Sequence, residues 1–172
     1  MPDRQLLLLR HAKAVLGEGL EDFDRPLALR GEKAAQTMGR YMAENGLAPD
    51  LVLCSPARRT AQTWEIAAHE LPQTELHLLE ELYDFGSGEA LLEAIRTRGK
   101  MVKRLLLVTH NPATQNLAVA LAGSGDKALR REMIEKYPTA ALAVLTFSGG
   151  SWADTAEGQG RLGAFIRPRE LD

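Results

Sequence analysis

Residues 5 to 14 read QLLLLRHAKA, and the reading of this stretch decides the fold. Leu6 to Leu9 form an unbroken apolar run. Such a run suits a strand that is dry on both faces, as in a mostly parallel sheet covered by helices on either side. The run ends in Arg10 and His11. A buried strand normally leaves the core through Gly, Asn, Asp or Pro, which accommodate a turn. Two adjacent nitrogen-rich side chains at a strand exit therefore ask for a chemical reason.

Working outward, similar short apolar runs recur: LVLC at 51–54, ELHLL at 75–79 and RLLLV at 104–108. Between and after them, residues 32–45, 59–70, 89–97 and 113–122 place apolar side chains at helical spacing and are rich in Ala, Leu, Glu or Arg. Gly46 reads as the cap closing the first of these helices. Beyond GSGDK at 123–127, the runs AALAVLTF and GRLGAFI predict two further strands joined by a Gly-rich turn region, an antiparallel pair at the sheet edge. Strand and helix in alternation predict an α/β fold, a three-layer α/β/α sandwich with a mostly parallel central sheet. No repeat or linker interrupts it, so residues 1–172 read as a single domain.

The bulk properties agree. A chain of 172 residues, 45% hydrophobic and 26% charged, is long enough for a real core. A net charge of -2 and the lack of any long Lys/Arg run argue against a nucleic-acid partner. The one cysteine, Cys54, excludes an intrachain disulfide and reads as a small buried hydrophobe at a strand end. The apolar runs are too short to cross a bilayer and the N-terminus lacks a signal-peptide tract, so the expectation is a cytoplasmic protein without a membrane partner.

Ligand-binding residues of open α/β sheets gather beyond the carboxyl ends of the strands. The first strand delivers Arg10 and His11, the second SPARRTAQT (55–63), and the fourth THNPAT (109–114). Ser55-Pro56 and Asn111-Pro112 each pair a good N-cap residue with a proline suited to the first helical position, so a helix is expected to start at each. Two helix starts facing one crevice, with arginines beside them, favour a bound anion, and phosphate is the expected guest.

Taken in order, LLLLRHAKA, SPARRTAQT and VTHNP resemble the histidine phosphatase superfamily, whose fold is phosphoglycerate mutase-like. The short length and the RHAK and THNP spellings resemble its SixA-like branch, the phosphohistidine phosphatases. The resemblance covers the first two thirds of the chain well and the C-terminal strands loosely. It implies that His11 is a nucleophile forming a transient phosphohistidine, that Arg10 binds phosphoryl oxygens, and that His110 is the second histidine. The family's Ser-Pro-x-x-Arg spacing falls on Arg59, and Arg58 should face elsewhere, since consecutive helical residues point about 100° apart. His11 must attack as neutral imidazole through one nitrogen while the other is held, most simply by a backbone carbonyl. His110, if protonated, would donate to the phosphoryl group. Ala12 departs from the superfamily's commonest Arg-His-Gly opening, which narrows the branch. Relatives draw a proton donor from an acidic residue in the third strand's exit loop, and here both Glu81 and Asp84 stand as candidates.

The resulting expectation is a phosphatase needing neither metal nor cofactor, with phosphohistidine on a protein as first substrate. A chain this short has little room for an insertion covering the crevice, which leaves it open to a macromolecule. A phosphatase or mutase acting on small phosphomonoesters would use the same pocket. A non-catalytic phosphate-binding module would keep the arginines but need no His11. His69 and His77 have no partner at ligand spacing and are given no site role. The acidic stretch GEGLEDFDRP (17–26) reads as a solvated connection that could instead border the crevice, screening out anionic substrates or meeting a basic surface.

Overall fold

The computed structural model describes residues 2 to 171. Leu6, Leu7, Leu8 and Leu9 are fully buried in strand β1 (Arg4–Arg10). Successive strand side chains point to opposite faces, so Leu6 and Leu8 enter one core cluster and Leu7 and Leu9 another. The same division runs through β2 (Leu51–Cys54) and β4 (Arg104–Thr109), where Leu53 and Leu107 oppose Cys54 and Val108. One cluster is closed by α3 (Glu89–Arg98), α4 (Ala113–Leu121) and α5 (Lys127–Glu135), through Leu91, Ile95, Leu117 and Met133. The other is closed by α1 (Leu29–Glu44) and α2 (Arg58–Ala68), through Met38, Met42, Trp64 and Ala67. Helices thus cover both faces, and each leucine buried this way stabilises the fold by ~1.5–3 kcal/mol.

The remaining strands are β3 (Glu75–Leu78), β5 (Ala122–Gly125), β6 (Leu142–Phe147) and β7 (Gly160–Ile166), and the sheet runs β3-β2-β4-β1-β6-β7-β5. The β1–β4, β2–β4, β2–β3 and β5–β7 pairings are parallel, whereas β1–β6 and β6–β7 are antiparallel. The last two apolar runs do pair antiparallel, but not at the edge. Their position there is corrected by β5, a short AGSG strand that adds outside β7. With no β-branched or aromatic residue, that segment carries no strand signal of its own. Helix α5 likewise goes beyond the sequence expectation; Asp126 caps it by accepting the N–H groups of Ala128 and Leu129 at 2.8 and 3.2 Å.

Gly46 adopts φ +66° after α1, and the Leu47 N–H reaches back to the Met42 carbonyl at 2.8 Å, a Schellman closure that a Cβ at 46 would strain. The two expected helix starts are displaced. Helix α2 begins at Arg58, because Ala57 is its N-cap with ψ 145° and the Ser55 hydroxyl accepts the Ala57 N–H at 3.3 Å instead of capping a first turn. Helix α4 begins at Ala113, with Asn111 Oδ1 accepting the Gln115 N–H at 3.2 Å.

What the fold does for function lies in its register. Arg10 pairs with Thr109 across β1 and β4, and Cys54 pairs with Val108 across β2 and β4. The carboxyl ends of three adjacent strands therefore finish nearly level. His11, Ser55 and His110, each the first residue past its strand, are delivered to one place.

Candidate active site

His11 is 8% exposed and His110 is fully buried, with ring centroids 5.3 Å apart. His11 Nδ1 lies 2.7 Å from the Ala12 carbonyl oxygen. A carbonyl can only accept, so Nδ1 carries the proton and Nε2 keeps its lone pair. The backbone around the ring is tied down from three directions. The His11 N–H donates to the Thr109 carbonyl at 3.1 Å, the Ala140 N–H donates to the His11 carbonyl at 3.0 Å, and the Ala12 N–H donates to Thr63 Oγ1 at 2.9 Å. Ala12, the departure from the family's opening, takes no left-handed conformation, and its methyl packs with Leu27, Ala35 and Ala140.

Two arginines flank this pair. Arg59 is 2% exposed, while its neighbour Arg58 faces solvent. Arg59 Nη1 donates to the Asp22 carbonyl at 2.7 Å and Nη2 to the Asp22 carboxylate at 2.9 Å. Arg10 is held differently: its Nη1 donates to the backbone carbonyl of Tyr137 at 2.9 Å, which also receives Asn111 Nδ2 at 3.3 Å. Tyr137 is itself locked, its hydroxyl donating to the Leu8 carbonyl at 2.5 Å. His110 Nε2 meets the buried Ser55 hydroxyl at 2.7 Å. Among the described residues, Arg10 Nε, Arg59 Nε and His110 Nδ1 are buried polar atoms with no hydrogen-bond partner. Buried donors left open cost about 1–3 kcal/mol each, so their grouping in one pocket suits a ligand rich in acceptor oxygens.

The electrostatics point the same way. Burial, reinforced by Arg10 and Arg59, pushes the His11 imidazole down to about 4, although its bond to Ala12 opposes this. Burial, with His11 and Arg59 beside it, pushes His110 down to about 3. Both rings are neutral at pH 7, so His110 acts in this state as a neutral group rather than as a cation. Burial also pulls the Arg10 guanidinium below its ordinary value. The Asp22 carboxyl falls to about 2, chiefly because the Tyr83 hydroxyl donates to it at 2.5 Å, with Arg59 and Arg25 adding to the effect.

The residues singled out from sequence, His11, Arg10, Arg59 and His110, thus share one pocket. Asp22, Tyr83, Thr63 and Tyr137 were not named by that reasoning. Thr63 had a signal, since it sits one helical turn after Arg59 on the same face. Asp22 had only the weak one of lying in an acidic loop, which here does border the crevice. Of the two carboxylates proposed as proton donors, Glu81 pairs with Arg98 at 3.1 Å and Asp84 accepts the Gly86 N–H at 3.2 Å. Neither hydrogen-bonds to the cluster. Around His110 stand Tyr83 and Phe85, with ring centroids 5.4 and 4.8 Å away, and Phe23 packs on Tyr83 at 5.2 Å.

Comparison with known proteins places this arrangement. Residues 6–100 match the family model described as histidine phosphatase superfamily (branch 1). An uncharacterized protein of Mycobacterium tuberculosis (strain ATCC 25618 / H37Rv) is 40% identical over 163 residues, spanning 94% of this chain and 100% of its own length. A protein described as a phosphohistidine phosphatase SixA from Nakamurella multipartitia superposes with a TM-score of 0.86 at 27% identity, over 98% of both chains. The protein histidine phosphatase SixA complexed with tungstate gives 0.74 at 26% identity, over 98% of this chain and 99% of its own. The seven-stranded sheet has the phosphoglycerate mutase-like architecture of these neighbours, and with the family model covering more than half of its length the chain belongs to the histidine phosphatase superfamily.

Proposed function

We propose that the protein is a metal-independent phosphatase that works through a phosphohistidine intermediate on His11 and takes phosphohistidine on a protein as its substrate. The observation that carries this reading is the fixed tautomer of a buried, neutral His11, with its free Nε2 in a pocket that also holds Arg10, Arg59 and His110. Phosphoryl transfer asks the protein mainly to align a nucleophile and neutralise the equatorial oxygens. His11 Nε2 attacks phosphorus and the bond to the leaving group breaks, its electron pair departing with that group. Water then attacks the same phosphorus, the P–Nε2 bond breaks with its electron pair returning to His11, and phosphate leaves with the proton that water sheds, which restores the neutral ring. Arg10 and Arg59 hold the oxygens with their guanidinium groups. If Ser55 donates its hydroxyl proton to His110 Nε2, then Nδ1 bears the remaining proton and donates it to a phosphoryl oxygen. That a SixA structure carries tungstate, a tetrahedral oxyanion, supports such a pocket.

The choice of leaving group follows from the acids. Asp22, the carboxylate bonded into the cluster, is held ionised by Tyr83, Arg59 and Arg25 and is a poor proton donor at neutral pH. A sugar alkoxide needs a strong acid at hand, whereas an imidazole is a weak base that leaves with a proton from solvent. This favours a phosphoramidate bond over a phosphomonoester.

The test is to incubate the protein with a phosphohistidine peptide and with sugar phosphates, quench in alkali, and locate the label by mass spectrometry. Label on His11, faster from the peptide, is expected, and His11→Ala should abolish turnover. Unchanged turnover in that variant would reduce the pocket to a non-catalytic phosphate-binding module. Faster transfer from sugar phosphates would favour the small-molecule reading.

A further inference from the structure

Beside the pocket lies an open groove of about 400 Å³ whose walls carry Lys13, Arg30, Lys136, Arg167 and Arg169. These cations come from four separate parts of the chain, and the sheet register explains why they meet next to His11. Leu9 pairs with Leu142 and Leu142 with Ile166, so the segment after Ile166 emerges at the same end of the sheet as Arg10 and His11. The wall formed by Lys136 to Thr139 includes Tyr137, whose carbonyl holds Arg10. The opposite wall is rigid: the Ala28 N–H donates to the Lys13 carbonyl at 2.9 Å, and a Cβ on Gly31 would lie 2.0 Å from that same oxygen. Helix α1 can approach Lys13 this closely only with glycine there.

Arg167 is compensated by Glu170 and by Glu132, the latter at 3.4 Å. Lys13, Arg30, Lys136 and Arg169 are exposed and form no salt bridge with another described residue. In a chain whose net charge is -2, a local excess of cations is a departure from the whole. Across the pocket the balance reverses, where the loop reached by Arg59 through Asp22 carries Glu18, Glu21, Asp22 and Asp24 against the single cation Arg25. The crevice therefore has a polarity.

We infer that the groove docks the acidic face of the phosphoprotein substrate, taking the Asp and Glu side chains that flank its phosphohistidine while that residue enters the pocket. This rests on the phosphohistidine reading above. A small anionic ligand would call for buried donors converging on one point, as in the pocket itself. Exposed cations spread along an open groove instead match carboxylates spread over a protein surface, where complementary charge raises the rate of productive encounter and sets orientation.

The test uses three phosphorylated probes: a synthetic phosphohistidine peptide flanked by glutamates, its glutamine counterpart, and free phosphohistidine. The wild type at low salt is expected to prefer the glutamate peptide over the glutamine one by ~10-fold in kcat/KM, a preference that shrinks as salt screens it. Arg30→Glu/Lys136→Glu should abolish the preference and leave turnover of free phosphohistidine unchanged, and Arg30→Gln/Lys136→Gln should reduce it partway. Equal rates on both peptides in the wild type, or a preference that survives the double reversal, would overturn the inference. A fluorescent unphosphorylated glutamate peptide, followed by anisotropy, separates the two readings. Binding that the double reversal abolishes supports the groove even if no phosphohistidine is turned over, and lack of binding by the wild type overturns it even if turnover is fast.

Discussion

Arg10 and Arg59 face one pocket but are held by opposite means. Arg10 hangs from the backbone carbonyl of Tyr137, a neutral acceptor on a residue whose side-chain hydroxyl is bonded to β1. Arg59 is gripped by the carboxylate and carbonyl of Asp22, in a network with Tyr83 and Arg25. The first arrangement orients a guanidinium while leaving its charge whole; the second orients it while neutralising part of that charge. A site built only in the second way would hold substrate weakly, and one built only in the first would concentrate uncompensated cations in a buried space, which is costly. Using one of each gives a pocket that is pre-organised and still net positive, as the proposed phosphoryl transfer requires.

The largest effect that tests this contrast comes from removing either cation. Arg10→Ala and Arg59→Ala are each expected to lower kcat/KM by ~10²–10³, the scale of a pre-organised donor lost from a transition state. If one variant kept near-normal activity, the two banks would not share the phosphoryl oxygens. Next comes the pH dependence of stability. His11 at about 4 and His110 at about 3 both lie below the ordinary histidine value of 6.5. Between those limits the unfolded chain binds more protons than the folded one, so stability is fully present above about 6.5 and is lost as pH falls towards 4. Asp22, lowered from 3.8 to about 2, adds a further loss in the same direction below that window, as pH falls from 3.8 towards 2. Denaturant titrations at pH 7 and 4.5 should differ by ~4–5 kcal/mol in the wild type, about half from each ring, and by clearly less in His110→Asn.

A smaller effect separates the banks directly. Asp22→Asn removes the carboxylate that competes for Arg59, so inorganic phosphate should inhibit ~10-fold more tightly. Asn111→Ala, which takes away only a second donor to the Tyr137 carbonyl, should change phosphate inhibition less than twofold. Equal responses would mean that the ionic clamp on Arg59 does not compete with ligand.

How far this was legible in the sequence divides along the same line. The Arg10 bank follows from local pattern: an apolar run, a strand end, and residues 10, 11 and 110 placed by register. Arg59 follows from its spacing to Ser55. What holds the arginines was hidden, because Asp22 reaches Arg59 across 37 positions of sequence and Tyr137 reaches Arg10 across 127. Composition marks neither, since an acidic loop and a tyrosine near a helix end are ordinary features. Helix α5 and strand β5 were missed for a different reason. KALRREMIE buries Met133 and little else, and AGSG has no side chains that favour a strand, so both depend on the neighbours they pack against.

The remaining effect concerns the join between the banks. Thr63 Oγ1 accepts the Ala12 N–H at 2.9 Å and donates to the Arg59 carbonyl at 2.7 Å, so one hydroxyl ties the loop that orients His11 to the helix that carries Arg59. Thr63→Val keeps the shape but leaves the buried Ala12 N–H without an acceptor, which should cost ~1–2 kcal/mol of stability. If the hydroxyl also sets the relation between His11 and Arg59, kcat should fall several-fold with little change in KM, and Thr63→Ser should restore it. A variant that lost stability but kept kcat would show that the two banks hold their spacing through the sheet alone.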